Sequence, residues 1–404
     1  MANKTLSTAK KAKNDEFYTQ YSDIQREVNA YLDFNPNVFR DKVILLPCDD
    51  PEWSNFTKFF AQNFERFGIK KLISTSYACL SKGPDGCNDY CPTLFEYASR
   101  QYNEQKTKTH GKIFTLCRDT NHNGRIDIND LEWRYLDGDG DFRSDEIKKL
   151  RDEADIIVTN PPFSLFREFL AWIMDANKSC LILGNMNAIT YKEVFPLIKN
   201  DKLWVGYTPI TGSRWFEVKG PCNNKFMQII DGRQMVPIKA VWFTNIEHGH
   251  RHQPIKTLTM ADNIKFSKHK EIRNIGYKKY DNYDALEIPY SDAIPSDYDG
   301  VMGVPISFLD KYCPEQFEII GLAPERTEKM ILKTFQYTDA IQHNSDGSTQ
   351  SGNKVNDGPT ILYQDTPPEK YPWYTCSNRQ GYIQVLYARI LIRKKKAKHN
   401  EDNT

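Results

Sequence analysis

Short apolar runs alternate with amphipathic stretches over the first 245 residues of the chain. Each run carries β-branched side chains and ends in polar or small residues, which is typical of buried strands. Between the runs, apolar side chains recur at helical spacing. This alternation predicts an α/β protein with a parallel sheet and helices on both faces. The predicted strands begin at Val43, Leu72, Ile156, Leu181, Leu203 and Ile238.

Two regions depart from this alternation. Residues from about 80 to 150 are polar and rich in Gly and Asp, so they predict a long insertion. From residue 246 onward the chain is Tyr-rich and punctuated by proline, and the composition of 343–357 predicts a mobile loop. The sequence therefore divides into an N-terminal element at 1–35, an α/β domain at 36–245 and a C-terminal α+β domain at 246–404.

Length and charge limit the function classes. A chain of 404 residues can form two domains. Its net charge of +1 is not a nucleic-acid-binding signature, so contact with DNA would need local basic patches. The basic runs at both termini could provide such patches, although runs of this kind are equally typical of solvated tails. They comprise Lys4, Lys10, Lys11 and Lys13, and then Arg389, Arg393–Lys396 and Lys398.

The sequence predicts a cytoplasmic protein without a membrane partner. No run of about 18 apolar residues suggests a membrane span, and the first residues lack the apolar segment of a secretory signal. The nine cysteines are scattered and odd in number, as expected of reduced thiols.

Two segments resemble metal sites only in part, and no metal is predicted for the reaction. Cys79, Cys87, Cys91 and Cys117 lack a Cys-x-x-Cys pair, which favours free thiols over zinc. Residues 119–130 match much of a calcium loop, but the twelfth position is Asp130 instead of the usual Glu. A metal-free turn is favoured there, and calcium remains the alternative.

The stretch from Asp155 to Phe163 is the most informative in the chain. Ile156–Val158 reads as a strand, and two prolines then stop it. The result is a stiff loop at the carboxyl end of a central strand, where open α/β sheets bind ligands. There the Asn160 side-chain oxygen and the Pro161 carbonyl can accept hydrogen bonds from a planar amino group, while Phe163 stacks on its ring. A plain turn is the alternative, but a strand before it and a helical pattern after it favour a functional loop.

Together with other stretches, this loop resembles the EcoRI-type adenine-specific DNA methyltransferases. Most of the matching stretches are weak singly, but their order along the chain is specific. They are Phe17-Tyr-Thr-Gln20, Cys48-Asp-Asp-Pro51 with Ser54-Asn-Phe56, Gly138–Ser144, Thr159–Glu168, Gly184–Tyr191 and Trp242–Asn245.

The resemblance implies a Rossmann-like class I methyltransferase sheet, S-adenosyl-L-methionine as cofactor and double-stranded DNA as partner. The 1–35 element would close over the cofactor, and 246–404 would recognise the DNA target. A cognate restriction endonuclease accompanies some such enzymes. The implied catalytic residues are Asn160, Pro161, Pro162 and Phe163. The implied cofactor-binding residues are Phe17, Tyr18, Thr19, Pro47, Cys48, Asp49, Asp50, Ser54, Phe56, Asp141, Phe142 and Asn160.

The chain departs from the general methyltransferase pattern in two places. Pro47–Pro51 replaces the usual Gly-rich loop, so Asp49 or Asp50 would contact the cofactor by side chain. The acidic residue expected after the second strand is missing at 74–76. Asp141 would accept from the adenine amino group of the cofactor, although a simple turn acid is an alternative. RNA or protein glutamine as substrate, and an inactive DNA-binding relative, stay open as other functions.

Overall fold

The computed structural model describes residues 19–49, 54–78, 97, 99–212, 214–218, 224–324 and 332–395. The chain divides into two compact units. Unit 1 comprises Met1–Ala188 and Leu203–Gly249, and unit 2 comprises Ile189–Lys202 and His250–Thr404. The 189–202 segment thus belongs with the C-terminal part of the chain and not with the sequence on either side of it.

Unit 1 is a mixed α/β structure built on a large sheet. Its described helices are α1 (Tyr21–Phe34), α2 (Asn55–Gln62), α3 (Phe64–Phe67), α4 (Glu104–Thr109), α5 (Asp145–Glu153) and α6 (Phe166–Asp175). Its described strands are β1 (Val43–Pro47), β2 (Lys71–Ser76), β3 (Lys112–Leu116), β4 (Glu132–Tyr135), β5 (Ile156–Thr159), β6 (Ser179–Asn185), β7 (Trp204–Val205), β8 (Arg214–Glu217), β9 (Gln228–Ile230), β10 (Arg233–Ile238) and β11 (Ala240–Thr244).

Eight of these strands form one sheet in the order β4-β3-β2-β1-β5-β6-β11-β7. The central strands β2, β1, β5 and β6 are parallel. The flanking strands β3 and β11 each pair antiparallel with their inner neighbours. The predicted α/β class is therefore confirmed. The predicted parallel sheet is found in the four central strands, and antiparallel strands at both edges make the whole sheet mixed.

Both faces of the sheet are covered. Ile44, Leu46 and Val158 lie on one face in a core shared with the aromatic side chains of α2 and α3. Leu45 and Ile157 point to the other face and are equally inaccessible to solvent. This two-sided burial explains why the central strands are continuous apolar runs instead of alternating ones.

The region from 80 to 150 adds strands to the main sheet. Lys112–Leu116 pairs with β2, and Glu132–Tyr135 pairs with the far side of β3. Helix α5 then leads into β5. The described part of this region, which was predicted to be a long insertion, extends the sheet edge by two strands.

Strands β8, β10 and β9 form a separate antiparallel sheet in unit 1. The β9–β10 connection is a tight turn at Asp231 and Gly232, both with positive φ. All three residues of β9 are exposed, including Ile229 and Ile230.

Unit 2 contains short helices and two further sheets. Its described helices are α7 (Phe195–Lys199), α8 (Met260–Phe266) and α9 (Lys270–Ile275). One sheet has the order β12-β13-β14-β21-β15 and the other β17-β16-β19-β20-β18. The strands are β12 (Lys278–Lys279), β13 (Leu286–Glu287), β14 (Met302–Pro305), β15 (Phe317–Ala323), β16 (Ile341–His343), β17 (Thr349–Ser351), β18 (Thr360–Tyr363), β19 (Trp373–Cys376), β20 (Arg379–Val385) and β21 (Arg389–Lys394).

The segment 343–357 contains the turn and second strand of a hairpin and then a 3₁₀ turn (Asn353–Asn356), so the prediction of a loop is wrong. Strand β16 pairs antiparallel with β17. The turn between them is closed by hydrogen bonds from the Asn344 amide to the Ser348 carbonyl and from the Gly347 amide to the Asn344 carbonyl. Gly347 has a φ of 82°, which glycine adopts without strain. The polar composition of this segment reflects its exposure and not a lack of structure.

Among the described residues, no helix has both the length and the apolar character needed to cross a membrane.

Candidate active site

Three loops meet at one edge of the main sheet of unit 1. They follow β2, β1 and β5, which are parallel neighbours in that order. Because parallel strands end at the same edge, the loops after Ser76, Pro47 and Thr159 lie side by side. This edge is where an α/β sheet offers a ligand crevice.

Asp49 ties two of these loops and a helix together. Its carboxylate accepts a 2.8 Å hydrogen bond from the Ser54 hydroxyl and another from the Thr159 hydroxyl. The Ser54 oxygen in turn accepts from the Phe56 amide, 3.1 Å away, and caps α2. Asp49 is 6% exposed. Its carboxylate therefore fixes the shape of the β1 loop from inside.

Hydrogen bonds also fix the backbone of this loop. The Asp49 amide donates to the Thr75 carbonyl at 2.9 Å, and the Asp49 carbonyl accepts from the buried Ser74 hydroxyl. Cys48 has a φ of 72°, a left-handed conformation uncommon for residues other than glycine. The loop that replaces the usual glycine-rich turn is thus stabilised by serine and threonine hydroxyls.

The Asn160 side chain lies beside Thr19. Its side-chain nitrogen donates to the Thr19 hydroxyl at 3.4 Å, while the Thr19 carbonyl accepts from the side-chain nitrogen of Asn55 at 2.7 Å. Thr19 is buried, and Asn160 is half-buried. One described residue of the N-terminal element is therefore in contact with the predicted catalytic loop.

Pro161 is buried, and Pro162 is half-buried. The Pro162 carbonyl accepts from the Leu165 amide at 2.9 Å, which begins a short 3₁₀ turn at Phe163–Leu165. Helix α6 follows directly. Phe163 is half-buried and packs against the main core of unit 1, so one part of its ring is fixed and another is accessible.

Asp141 lies in a cluster with Tyr77 and Arg143. Its carboxylate accepts hydrogen bonds from Arg143 at 2.9 Å (Nε) and 2.6 Å (Nη2), and it is also hydrogen-bonded by Tyr77. Burial alone would raise the pKa of Asp141, but the Arg143 and Tyr77 hydrogen bonds and the Arg143 charge outweigh it and hold this pKa below its usual value. Burial and the nearby Cys48 and Asp141 raise the pKa of Tyr77. Asp141 is ionised and Tyr77 neutral at neutral pH.

The Asp141 loop reaches this position because two glycines let it approach the end of β2. A Cβ atom on Gly140 would lie 2.3 Å from the Ser76 carbonyl oxygen, and one on Gly111 would lie 2.5 Å from it. The Ala78 amide donates to the Asp139 carbonyl at 2.8 Å. Any larger side chain at Gly140 would move Asp141 away from the sheet edge.

Two residues predicted to bind the cofactor lie in the core. Phe142 is 1% exposed and packs edge-on against Phe169 and Trp172, with ring centroids 5.1 and 5.7 Å apart. Phe56 is 2% exposed and packs against Trp242. Both side chains support the loops beside the crevice, and direct contact with a cofactor stays a prediction for each.

The structure brings together most of the predicted site. Thr19 is hydrogen-bonded to Asn160 and Ser54 to Asp49, and the Pro47 carbonyl accepts from the Thr159 hydroxyl at 2.5 Å. Phe17, Tyr18 and Asp50 lie outside the described residues. Their roles, like those of the other predicted site residues, remain predictions.

Sequence reasoning missed Tyr77, Arg143 and the structural role of Thr159. Tyr77 directly follows β2, so its place at the end of a central strand was the available signal. Arg143 and Thr159 stand within stretches that carried the family resemblance. Arg143 also pairs with Glu168 of α6 at 3.3 Å, and so joins the Asp141 loop to the helix after the Asn160 loop.

The side-chain oxygens of the 119–130 loop bind the loop's own backbone. Asp119 accepts from the Asn123 and Gly124 amides, and Asp130 accepts from those of Thr120, Asn121 and Asp127. Within the described ranges, no group of three or more His, Cys, Asp or Glu side chains could hold a metal ion. Cys117 is a free, exposed thiol, and Cys79, Cys87 and Cys91 lie outside the described residues.

Comparison with known proteins identifies the family. The model of the adenine-specific methyltransferase EcoRI family matches residues 5–395. The chain belongs to this family. The predicted enzyme class, an adenine-specific methyltransferase, is thereby confirmed.

Individual members are similar over most of their length. The chain is 39% identical to the type II methyltransferase M.EcoRI of Escherichia coli over 333 residues, which cover 81% of this chain and 91% of that protein. It is 34% identical to the type II methyltransferase M.MpnI of Mycoplasma pneumoniae, over 82% of this chain and 90% of that protein. The chain is 33% identical to the type II methyltransferase M.MgeORF184P of Mycoplasma genitalium, over 78% of this chain and 85% of that protein. No solved structure matches the chain.

Proposed function

We propose that this family member transfers a methyl group from S-adenosyl-L-methionine to N6 of an adenine flipped out of double-stranded DNA. The observation that carries the proposal is the Asn160–Phe163 loop at the carboxyl end of β5, held next to Asp49 and Thr19. The loop sits at the sheet edge where ligands bind in this class of fold, and the family is adenine-specific.

The side chains at this edge fit the proposed cofactor. The adenine amino group of S-adenosyl-L-methionine needs an acceptor, and Asp141 is an acceptor held in its ionised form by Arg143. Asp141 and Thr19 would hold it, with the Pro47–Asp49 backbone beside them. When bound, the cofactor supplies a methyl group on a positively charged sulfur, which is already electrophilic.

The Asn160 loop would act on the target base by positioning and electrostatics. The Asn160 side-chain oxygen and the Pro161 carbonyl accept from the adenine amino group, and this favours a pyramidal, nucleophilic nitrogen. Phe163 stacks on the base, which must leave the duplex because its N6 is inaccessible in the stack. No covalent intermediate with the protein is needed, because the loop fixes the nitrogen in line with the methyl group.

We assign target recognition to unit 2. Specificity requires side chains that reach base edges, and the loops at the sheet edge of unit 1 are already assigned to the cofactor and the flipped adenine. In a type II system such an enzyme protects DNA from an endonuclease of the same specificity. Resistance of the methylated DNA to such an endonuclease would identify that partner.

The test is methyl transfer by the full chain to duplex DNA of random sequence. We expect N6-methyladenine by mass spectrometry of the nucleosides, confined to one sequence when modified bases are sequenced. RNA and a glutamine-containing protein serve as the competing substrates, since the same tetrapeptide acts on both in related enzymes. Methylation of either in place of DNA would contradict the proposal, and Asn160→Ala provides the matched inactive protein.

A further inference from the structure

Helices α8 and α9 of unit 2 form a surface that the packing of the unit does not account for. Each helix buries one side chain, Asn263 in α8 and Ile272 in α9. Four large apolar side chains around the helices are exposed instead, three of them by half or more. These are Leu258, Ile264, Phe266 and Ile275.

The ends of the two helices lie next to each other. A Cβ atom on Gly276, directly after α9, would lie 3.7 Å from the Ile264 side chain of α8. Gly276 has a φ of 76°, so the chain turns sharply there. Ile264 and Ile275 are therefore neighbours on one exposed face, which we call the α8–α9 face (residues 256–279).

The segment that carries the α8–α9 face is rich in cations, although the chain as a whole has a net charge of only +1. Residues 256–279 contain seven Lys and Arg and two acidic residues. One of these acids, Asp262, is engaged at the start of α8, where it accepts from the Thr259 hydroxyl at 2.7 Å. The basic residues are Lys256, Lys265, Lys268, Lys270, Arg273, Lys278 and Lys279.

Several of these cations have no acidic partner. Lys268 pairs with Asp292 at 2.8 Å and Lys279 with Asp284 at 3.9 Å. Within the part of the chain that the structure describes, Lys265, Lys270 and Arg273 form no ion pair and are exposed. The Lys265 ammonium instead lies 5.0 Å from the centre of the exposed Phe266 ring.

We propose that the α8–α9 face docks on the sugar–phosphate backbone of the DNA substrate. Unpaired cations bind phosphates, and the apolar side chains between them suit contact with the sugars. Charge complementarity favours DNA over a second copy of this chain, because two equal basic faces would repel each other. Such contacts position a protein on the duplex and do not read its sequence. The inference rests on the proposed function and adds the partner surface to it.

The first test removes two of the cations in the full-length protein. Lys270→Gln with Arg273→Gln should reduce the slope of log K against log salt concentration by about 1.8. The affinity loss should be equal for a duplex with the target sequence and one without it. Affinity is measured by fluorescence anisotropy at several salt concentrations.

A matched control pair lies elsewhere in unit 2. Lys199→Gln with Lys202→Gln makes the same change in charge at the same spacing, on exposed residues at the end of α7 and just beyond it. This control should keep the wild-type salt slope. If both pairs reduce the slope equally, the effect is one of net charge, and the α8–α9 proposal is overturned.

Phe266→Ser tests the apolar part of the face. Phe266 is 64% exposed, so the variant should fold and melt like the wild type. It should weaken DNA binding while the protein remains at the same mass in light scattering. A change in mass without a change in DNA affinity would overturn the proposal and assign the face to self-association.

These outcomes are separate from those of the proposed function. A wild-type protein that does not methylate DNA contradicts the proposed function itself. A wild-type protein that methylates DNA, beside a Lys270→Gln/Arg273→Gln variant with the full salt slope, contradicts only the assignment of this face.

Discussion

The Asn160 side chain is oriented by its neighbours within unit 1. Its amide nitrogen faces the buried Thr19 hydroxyl, and the preceding Thr159 is fixed through Pro47 and Asp49. A side chain held in this way keeps its oxygen in one direction, which is the condition for electrostatic stabilisation without reorganisation. The chemistry at this loop therefore depends on packing that begins in β1.

Replacing Asn160 tests this directly. Asn160→Ala should lower the methylation rate at saturating DNA by at least about 10²-fold, because the acceptor for the target amino group is lost. Affinity for S-adenosyl-L-methionine, measured by calorimetry, should change little. Comparable loss of both rate and cofactor affinity in a folded variant would show that Asn160 serves the cofactor and not the base.

Arg143 determines the charge state of Asp141, and its removal should show in the pH dependence. The lowered pKa of Asp141 means that its stabilising ionised form is present above the ordinary pKa of Asp and is lost only as pH falls through the lowered value. In Arg143→Met, burial would still raise this pKa, and the main opposing hydrogen bonds and charge would be gone. Cofactor affinity should then begin to fall at a higher pH than in the wild type.

The matched control is Arg118→Met. Arg118 also pairs with a carboxylate of unit 1, Glu132 at 2.9 Å, but both side chains are well exposed. Its removal should leave the pH profile of cofactor binding unchanged. An identical profile for Arg143→Met and the wild type would exclude Asp141 from cofactor binding.

At the level of elements, the central strands were predictable. The run beginning at Val43 became Val43–Pro47, and the run beginning at Ile156 became Ile156–Thr159. A strand buried on both faces must be apolar at successive positions, so a continuous apolar run in the sequence indicates such a strand. The loops after such strands, including the one at Asn160, could be placed for the same reason.

Strand pairing at the sheet edge was not predictable. Strands β3 and β4 are short and partly polar, with Lys112 and Thr115 in the first and Arg134 in the second. Their antiparallel pairing depends on long-range contacts that a local pattern does not contain. Tyr77 was not predicted for a related reason. Its partner Asp141 is distant in the sequence, and Asp141 reaches Tyr77 only because glycine at position 140 allows a close approach to the end of β2.

The 119–130 loop keeps its shape through hydrogen bonds to its own backbone. Asp130 is 1% exposed and accepts from three backbone amides. Asp130→Ala should therefore lower the free energy of unfolding, because these three backbone amides lose their acceptor. The measurement is urea denaturation, with the exposed Asp346→Ala as control.

The same loop should not take part in methyl transfer. A chelator should leave turnover at saturating DNA unchanged, with any effect limited to the melting temperature, because the methyl donor needs no Lewis acid. Activity that disappears with chelator and returns with calcium would instead give the loop a role in the reaction.

Each of the two units contains hydrophobic cores built from its own described residues. The core around α1, α2 and the main sheet draws all its buried residues from unit 1, from Ile24 to Trp242. Two smaller cores, between Tyr280 and Leu391, lie in unit 2. Cores of this kind allow the catalytic and target-recognition roles proposed for the two units to be tested apart.

Truncation after Gly249 removes most of unit 2 and leaves every buried residue of the main unit 1 core in place. The shortened protein should still bind S-adenosyl-L-methionine, because the loops after β1, β2 and β5 all belong to unit 1. It should lose sequence-specific DNA binding, as measured by anisotropy with competitor DNA. The shortened protein keeps the 189–202 segment of unit 2. Lys199→Gln with Lys202→Gln in the shortened protein shows whether these two charges contribute to any DNA binding that remains. A shortened protein that still selects the same sequence would move recognition into unit 1, where β3 and β4 of the 80–150 region would be the next elements to examine.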